Sequence, residues 1–158
     1  MQDAVTKKDS VTLALVTSLK GVLGNLSDED IEINVEKGVV YVSISDKLLF
    51  RSGSHTVTKR AKEVLGKVAK VVNDKPELEF MVEGHTDNVP LAFSERYRSN
   101  WDLSAARSAA VADYLLDNSD VKRGRVTIIG LADTKPIMSN STPQGRAKNR
   151  RIEVIIDG

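Results

Sequence analysis

Residues 57–84 read VTKRAKEVLGKVAKVVNDKPELEFMVEG, and this stretch decides the fold. From Val57 the apolar positions Ala61, Val64, Leu65, Val68, Val71 and Val72 fall on one stripe at helical spacing, which predicts an amphipathic helix. Asn73-Asp74-Lys75-Pro76 stop it. Leu78, Phe80 and Val82 then alternate with Glu79, Met81 and Glu83 until Gly84, the two-residue period of a strand with one buried face. A helix leading directly into such a strand implies helices packed on a sheet.

The flanking segments extend the pattern in both directions. Upstream, Ile31, Ile33 and Val35 alternate with polar residues, Gly38 marks a turn, and Val40, Val42 and Ile44 resume the alternation, which predicts a β-hairpin. Leu48-Leu49-Phe50 run into Arg51-Ser52-Gly53-Ser54, a composition that ends regular structure. Before the hairpin, Val11, Leu15, Leu19, Val22 and Leu26 recur at helical spacing, weakened at the far end by Gly21 and Gly24. Downstream, His85 to Ser99 reads as loop, and a second helix is expected from about Asp102 to Leu116 with Ser99 or Asn100 as N-cap. Val126 to Ile129 form the next strand. Gly130 to Asn149 reads as a long connection, and Ile152, Val154 and Ile156 close the chain as a final strand. The expected class is α+β: a mixed sheet with helices on one face, a βαβαββ core preceded by a further hairpin strand and an N-terminal helix. Two units are expected, residues 1–27 with the polar start and first helix, and 28–158 with the domain.

At 158 residues one core suffices. Lysine and arginine number 23 against 22 acids, a balance that supplies no long-range field for nucleic acid or anionic lipid. The absence of cysteine excludes disulfides and thiolate metal sites. No run approaches the ~18 apolar residues of a membrane span. Met1 to Ser10 lack the apolar region of a secretory signal; read literally this suggests a cytoplasmic protein, and the alternative is a soluble piece of a longer envelope protein.

Arg107 is the most informative single residue. Helical geometry places it among Leu103, Ala110, Val111 and Tyr114 on the inward stripe of the second helix, within two turns of an N-terminus whose dipole disfavours cations. Both terms ask for a nearby anion, which an internal salt bridge, a snorkelling side chain or a bound ligand would answer. Gly84-His85-Thr86-Asp87-Asn88 leaves the end of a strand carrying a carboxylate, a hydroxyl and an amide, which turn chemistry alone also explains. Together Asp87 and Arg107 would set opposite charges at one rim of the sheet. That suits a zwitterion, with an ammonium on Asp87 and a carboxylate on the planar guanidinium fork.

These blocks carry a resemblance. Gly84-His85-Thr86-Asp87, Asn100-Trp101-Asp102-Leu103-Ser104-Ala105-Ala106-Arg107 and Asn149-Arg150-Arg151-Ile152-Glu153, with Leu49-Phe50 and Ser52-Gly53-Ser54 before them, are similar to the signature blocks of the OmpA-like peptidoglycan-binding domain. The match runs in order from about Val39 to Ile156. Its wording is nearest to outer-membrane proteins of Bacteroidetes type and also resembles flagellar stator B subunits. The resemblance implies non-covalent binding of the cell wall without turnover, with Asp87 and Arg107 holding the amino and carboxylate ends of diaminopimelate in the stem peptide. It further implies that Thr86, Asn100, Leu103, Asn149 and Arg150, with Phe50 and Arg51, shape the pocket. The family carries a second glycine soon after Gly130, where this chain has Leu131-Ala132-Asp133.

The expected partner is therefore peptidoglycan through its meso-diaminopimelate stem, with a second copy of the chain as a further candidate. The expected place is the periplasm, attached to the outer membrane through a region outside this chain. No cofactor, metal or catalytic residue is expected, since His55 and His85 are the only histidines and lack recognisable ligand spacing. Nor is there a Gly-x-Ser-x-Gly elbow. The basic run Arg146, Lys148, Arg150, Arg151 has no aromatic platform beside it for nucleic acid. The rival readings are a stator-type wall anchor and an amidase or peptidase on the same polymer.

Overall fold

The N-terminal apolar spacing forms a helix, α1 (Gln2–Leu23), in the computed structural model, which describes residues 2–23, 30–73, 78–91 and 96–157. The helix includes the polar start. Leu26 and the stop signal at 74–76 lie outside the described residues. Strands β1 (Ile31–Glu36) and β2 (Val39–Ser45) pair antiparallel around Lys37 and Gly38, whose φ values of 52° and 78° are those of a tight two-residue hairpin turn. A single turn, α2 (Asp46–Leu49), follows, and then α3 (Lys59–Asn73). Thr58 caps α3, its hydroxyl accepting from the Ala61 amide at 3.1 Å.

Strand β3 (Glu79–His85) leads to α4 (Asn100–Asp117), capped by the Ser99 hydroxyl on the Trp101 amide. A 3-10 turn (Arg123–Arg125) precedes β4 (Val126–Gly130), and α5 (Pro143–Asn149) precedes β5 (Arg151–Asp157). The five strands lie in the order β1-β2-β5-β3-β4, antiparallel except for the parallel pair β3/β4. The mixed sheet and the helices on one face match the expected class.

The core lies under that face. Val40, Val42, Ile44, Phe80, Val82, Ile152, Val154 and Ile156 point into it and meet the buried stripe of α3, with Val111, Ala112 and Leu115 of α4. Leu15, Leu19 and Leu23 of α1 enter the same cluster, so the helix in the expected N-terminal unit shares the core of the rest. Burying each such leucine contributes roughly 1.5–3 kcal/mol.

Two expectations need correcting. Strand β3 does not stop at Gly84 but runs on through His85, which pairs with Arg151. The glycine marks a crossing: a Cβ there would stand 2.2 Å from the Ser104 carbonyl oxygen, and one on its register partner Gly130 would stand 2.6 Å from the Ala105 amide. With both side chains absent, the backbone of α4 lies directly on the ends of β3 and β4. The connection from Gly130 to Asn149 likewise contains α5, capped by the Thr142 hydroxyl with Pro143 in the first turn.

Candidate functional site

Because α4 sits so close over Gly84, its inward stripe continues past the sheet end, and Arg107 projects beside the turn that follows β3. A cleft of about 460 Å³ opens there. Phe50, Thr86, Asp87, Asn100, Leu103, Arg107 and Arg150 all line it, seven of the nine residues expected from the sequence. The other two lie elsewhere. Arg51 is exposed outside the lining. Asn149 is fully buried: its Oδ1 accepts from the amides of Ile137 and Met138 at 2.8 and 3.0 Å, and its Nδ2 donates to the Met138 carbonyl and Asn140 Oδ1. That is the geometry of a residue that ties down the 137–140 loop.

Arg107 is only 4% exposed. Its Nε donates to the Ser54 carbonyl at 2.8 Å, Nη1 donates to Asp46 Oδ2 at 3.2 Å, and the guanidinium carbon lies 4.8 Å from the centre of the Phe50 ring. Nη2 makes no hydrogen bond to the described residues. Burial pushes this guanidinium below its ordinary pKa, and the Asp46 carboxylate offsets part of that.

Asp87 sits in a turn shaped by its own side chain, Oδ1 accepting from the Val89 amide at 3.0 Å. The turn is pinned from two sides. Asn100 Nδ2 donates to the Asp87 and Val89 carbonyls at 3.3 and 3.1 Å, and the Thr86 amide donates to the Ala132 carbonyl at 2.8 Å. Ala132, inside the Leu131-Ala132-Asp133 run, takes a left-handed φ of 52°. Asp87 Oδ2 accepts from Arg150 Nη1 at 2.7 Å, while Arg150 Nε lies 3.4 Å from Asp46.

The charges therefore alternate along the cleft as Arg107, Asp46, Arg150, Asp87. Asp87 and Arg107 are at one rim, as the sequence suggested, but each is paired with a different partner rather than with the other. Asp46 is the residue that sequence reading missed. It follows an alternating strand and opens a one-turn helix, so nothing near it in the chain signals a partner 61 residues away. Tyr97 is also new: it is buried, and its hydroxyl meets His55 Nδ1 at 2.5 Å, linking the loop before α3 to the one before α4.

On the opposite, open face of the sheet, Glu83, His85 and Glu153 bring their ligand atoms within 4.8 Å of one another. No local spacing announced this cluster, because Glu153 arrives from β5. His85 Nε2 lies 3.1 Å from Glu83 and 3.5 Å from Glu153, and Arg151 stands 3.6 Å from Glu153, so these side chains already engage both carboxylates. Neither histidine lines the charged cleft.

Comparison with known proteins finds similar chains and folds. The OmpA family model matches residues 49–150. Motility protein B of Bacillus subtilis is 31% identical over 129 residues, covering 82% of this chain and 49% of that protein. The peptidoglycan-binding protein ArfA of Mycobacterium tuberculosis is 40% identical over 95 residues, 60% of this chain and 27% of its own length. The structure of the cell wall anchor of the type VI secretion system from Pseudomonas aeruginosa superposes with a TM-score of 0.79 at 34% identity, covering 89% of this chain and 96% of that one. The chain spans about half the length of the first two curated relatives it matches.

Proposed function

The chain belongs to the OmpA family, and from that footing we propose that it is a non-catalytic module that binds peptidoglycan through the diaminopimelate of the stem peptide and so anchors a larger envelope protein to the cell wall. The observation that carries the reading is the pair of opposite charges at one cleft. Arg107 is buried on an apolar stripe with Nη2 unused among the described residues, and Asp87, 7% exposed, is held in a pinned turn beside it. Buried charges carry a desolvation cost even when paired, and such a set at a cleft marks a candidate functional site. A carboxylate would take the open edge of Arg107, over the Phe50 ring, and an ammonium would take the lone pairs of Asp87 left by Arg150 and Val89. Arg150, whose side chain is 37% exposed, is the member of the network freest to shift as the ligand enters.

The comparisons support the same direction. One relative is described as peptidoglycan-binding and one solved neighbour as a cell wall anchor. The likeness to motility protein B extends over 82% of the chain and favours a motor-type anchor as the second reading. A place in the periplasm, with outer-membrane attachment through another part of the protein, completes the proposal. Among the described residues no helix is long and apolar enough to cross a membrane.

Calorimetry with synthetic stem peptides tests the ligand. A peptide containing meso-diaminopimelate should bind about tenfold or more tightly than its lysine counterpart, which lacks the distal carboxylate. Equal affinity for the two removes Arg107 from the site. Release of soluble fragments from purified sacculi would favour the enzyme instead.

A further inference from the structure

The loop between α2 and α3 carries the carbonyl that holds Arg107. Its ends meet at the bridge between Phe50 and Val57, where the Thr58 amide also donates to the Leu49 carbonyl at 2.9 Å. Inside the loop, the Ser54 amide donates to the Arg51 carbonyl at 3.0 Å and the Thr56 amide to the Ser54 hydroxyl at 2.9 Å. These bonds fix the shape of the loop but not where its tip stands. Among the described residues two contacts from outside do that: Arg107 Nε donates to the Ser54 carbonyl at 2.8 Å, and the Tyr97 hydroxyl meets His55 Nδ1 at 2.5 Å.

Both contacts act on one peptide unit. The Ser54 carbonyl and the His55 amide share a rigid plane, so anchoring His55 sets the direction in which that carbonyl meets Arg107. Tyr97 is well placed as the anchor. It is 5% exposed between the exposed Arg96 and Arg98, and its own segment is tied to α4, the Arg98 amide donating to Asp102 at 2.9 Å and the Leu103 amide to the Ser99 carbonyl at 3.2 Å. The phenol ring meets the imidazole edge-on, with centroids 5.8 Å apart and planes at 77°. One hydrogen bond forms in either tautomer: the phenol donates to a bare Nδ1, or Nδ1–H donates to the phenol oxygen.

We propose that Tyr97, acting through His55, is a positioning residue for Arg107: it holds the Ser54 carbonyl on Nε and so sets the plane of the guanidinium and the direction of its Nη2 edge. This rests on the reading of Arg107 as the group that binds the distal carboxylate. A guanidinium is planar, so fixing its Nε–H fixes the whole fork, and a carboxylate partner is recognised in that plane. Without the anchor the cleft keeps its residues but loses pre-organisation, because the ordering of the loop then falls on the binding step.

Calorimetry on the whole chain with the meso-diaminopimelate stem peptide and its lysine counterpart separates this role from general support of the cleft. Tyr97→Phe removes one oxygen and His55→Phe removes the ring nitrogens, and each keeps an aromatic pair. In either variant the preference for the diaminopimelate peptide should fall about threefold or more with the lysine peptide bound as before, and in an Arg107→Met background Tyr97→Phe should have no further effect. Melting curves establish that the variants are folded, and His55→Phe, at a half-buried loop position, carries the test should Tyr97→Phe unfold. A preference unchanged in either folded variant overturns the proposal. So does an equal loss for both peptides, since Tyr97 then supports the cleft without acting on Arg107. A parent chain that shows no preference overturns the diaminopimelate reading and this inference with it.

Discussion

Replacing Arg107 by methionine separates binding from stability at the centre of the cleft. Methionine keeps an unbranched side chain on the α4 stripe and against Phe50, and removes the charge. On the stability side the change loses the bonds to Ser54 and Asp46, where hydrogen bonds involving a charged group contribute about 1.5–3 kcal/mol. Against this, it recovers the desolvation cost that already pushes the guanidinium below its ordinary pKa. Asp46 is not left alone, because Arg150 stays 3.4 Å away. The opposing terms should leave a net change within about 1 kcal/mol, a shift of roughly 2–4 °C in melting temperature for a chain of this size. On the binding side, loss of the guanidinium–carboxylate pair at about 1.5–3 kcal/mol weakens meso-diaminopimelate roughly 10- to 150-fold. Thermal melting, calorimetry and cosedimentation with purified sacculi read the two effects separately. Adding Asp46→Asn removes the remaining carboxylate without touching the Arg150–Asp87 bond, so the double variant should melt no lower than Arg107→Met. A variant that melts some 10 °C below the parent yet sediments with sacculi undiminished would refute the reasoning, since the pair would then be structural.

Gly84→Ala should destabilise the chain by about 1–3 kcal/mol or more, because the added methyl meets the Ser104 backbone at 2.2 Å rather than a side chain able to move; a melting temperature equal to the parent's would mean α4 does not lie on the sheet as described. Deleting residues 1–27 should leave a cooperative transition at a lower temperature, because Leu15, Leu19 and Leu23 leave the core while the sheet, α3 and α4 remain. Loss of any cooperative melt by circular dichroism would show that α1 and the rest are a single folding unit.

Periodic elements were legible because their signals are local. The α3 stripe, the alternation of β1, β2, β3 and β5, the hairpin glycine and the Ser99 cap each depend on residues a few positions apart. Seven of nine expected site residues line the cleft for a related reason, since they sit in blocks that occupy element ends. The short helix α5 escaped notice because its seven residues carry only Ala147 as an apolar position, although Thr142-Pro143 offered a cap and first-turn signal. Gly84 looked like a stop because the close approach that needs it comes from α4, far along the chain. Asn149 was expected to shape the pocket or touch the peptide; it lies outside the cleft lining, buried, with its side chain bonded to the 137–140 backbone.

The chain by itself thus determined the longer helices and the strands, which faces they bury, and that a cation on an apolar stripe needs an anion. The tertiary structure decided which anion. Strand β5, last in the chain, lies between β2 and β3, and so carries Arg150 between Asp46 and Asp87, while α4 crossing Gly84 brings Arg107 to the same rim. Pairings across 61 and 63 residues leave no mark in local spacing, because the contact free energy acts only once the sheet order has closed the distance.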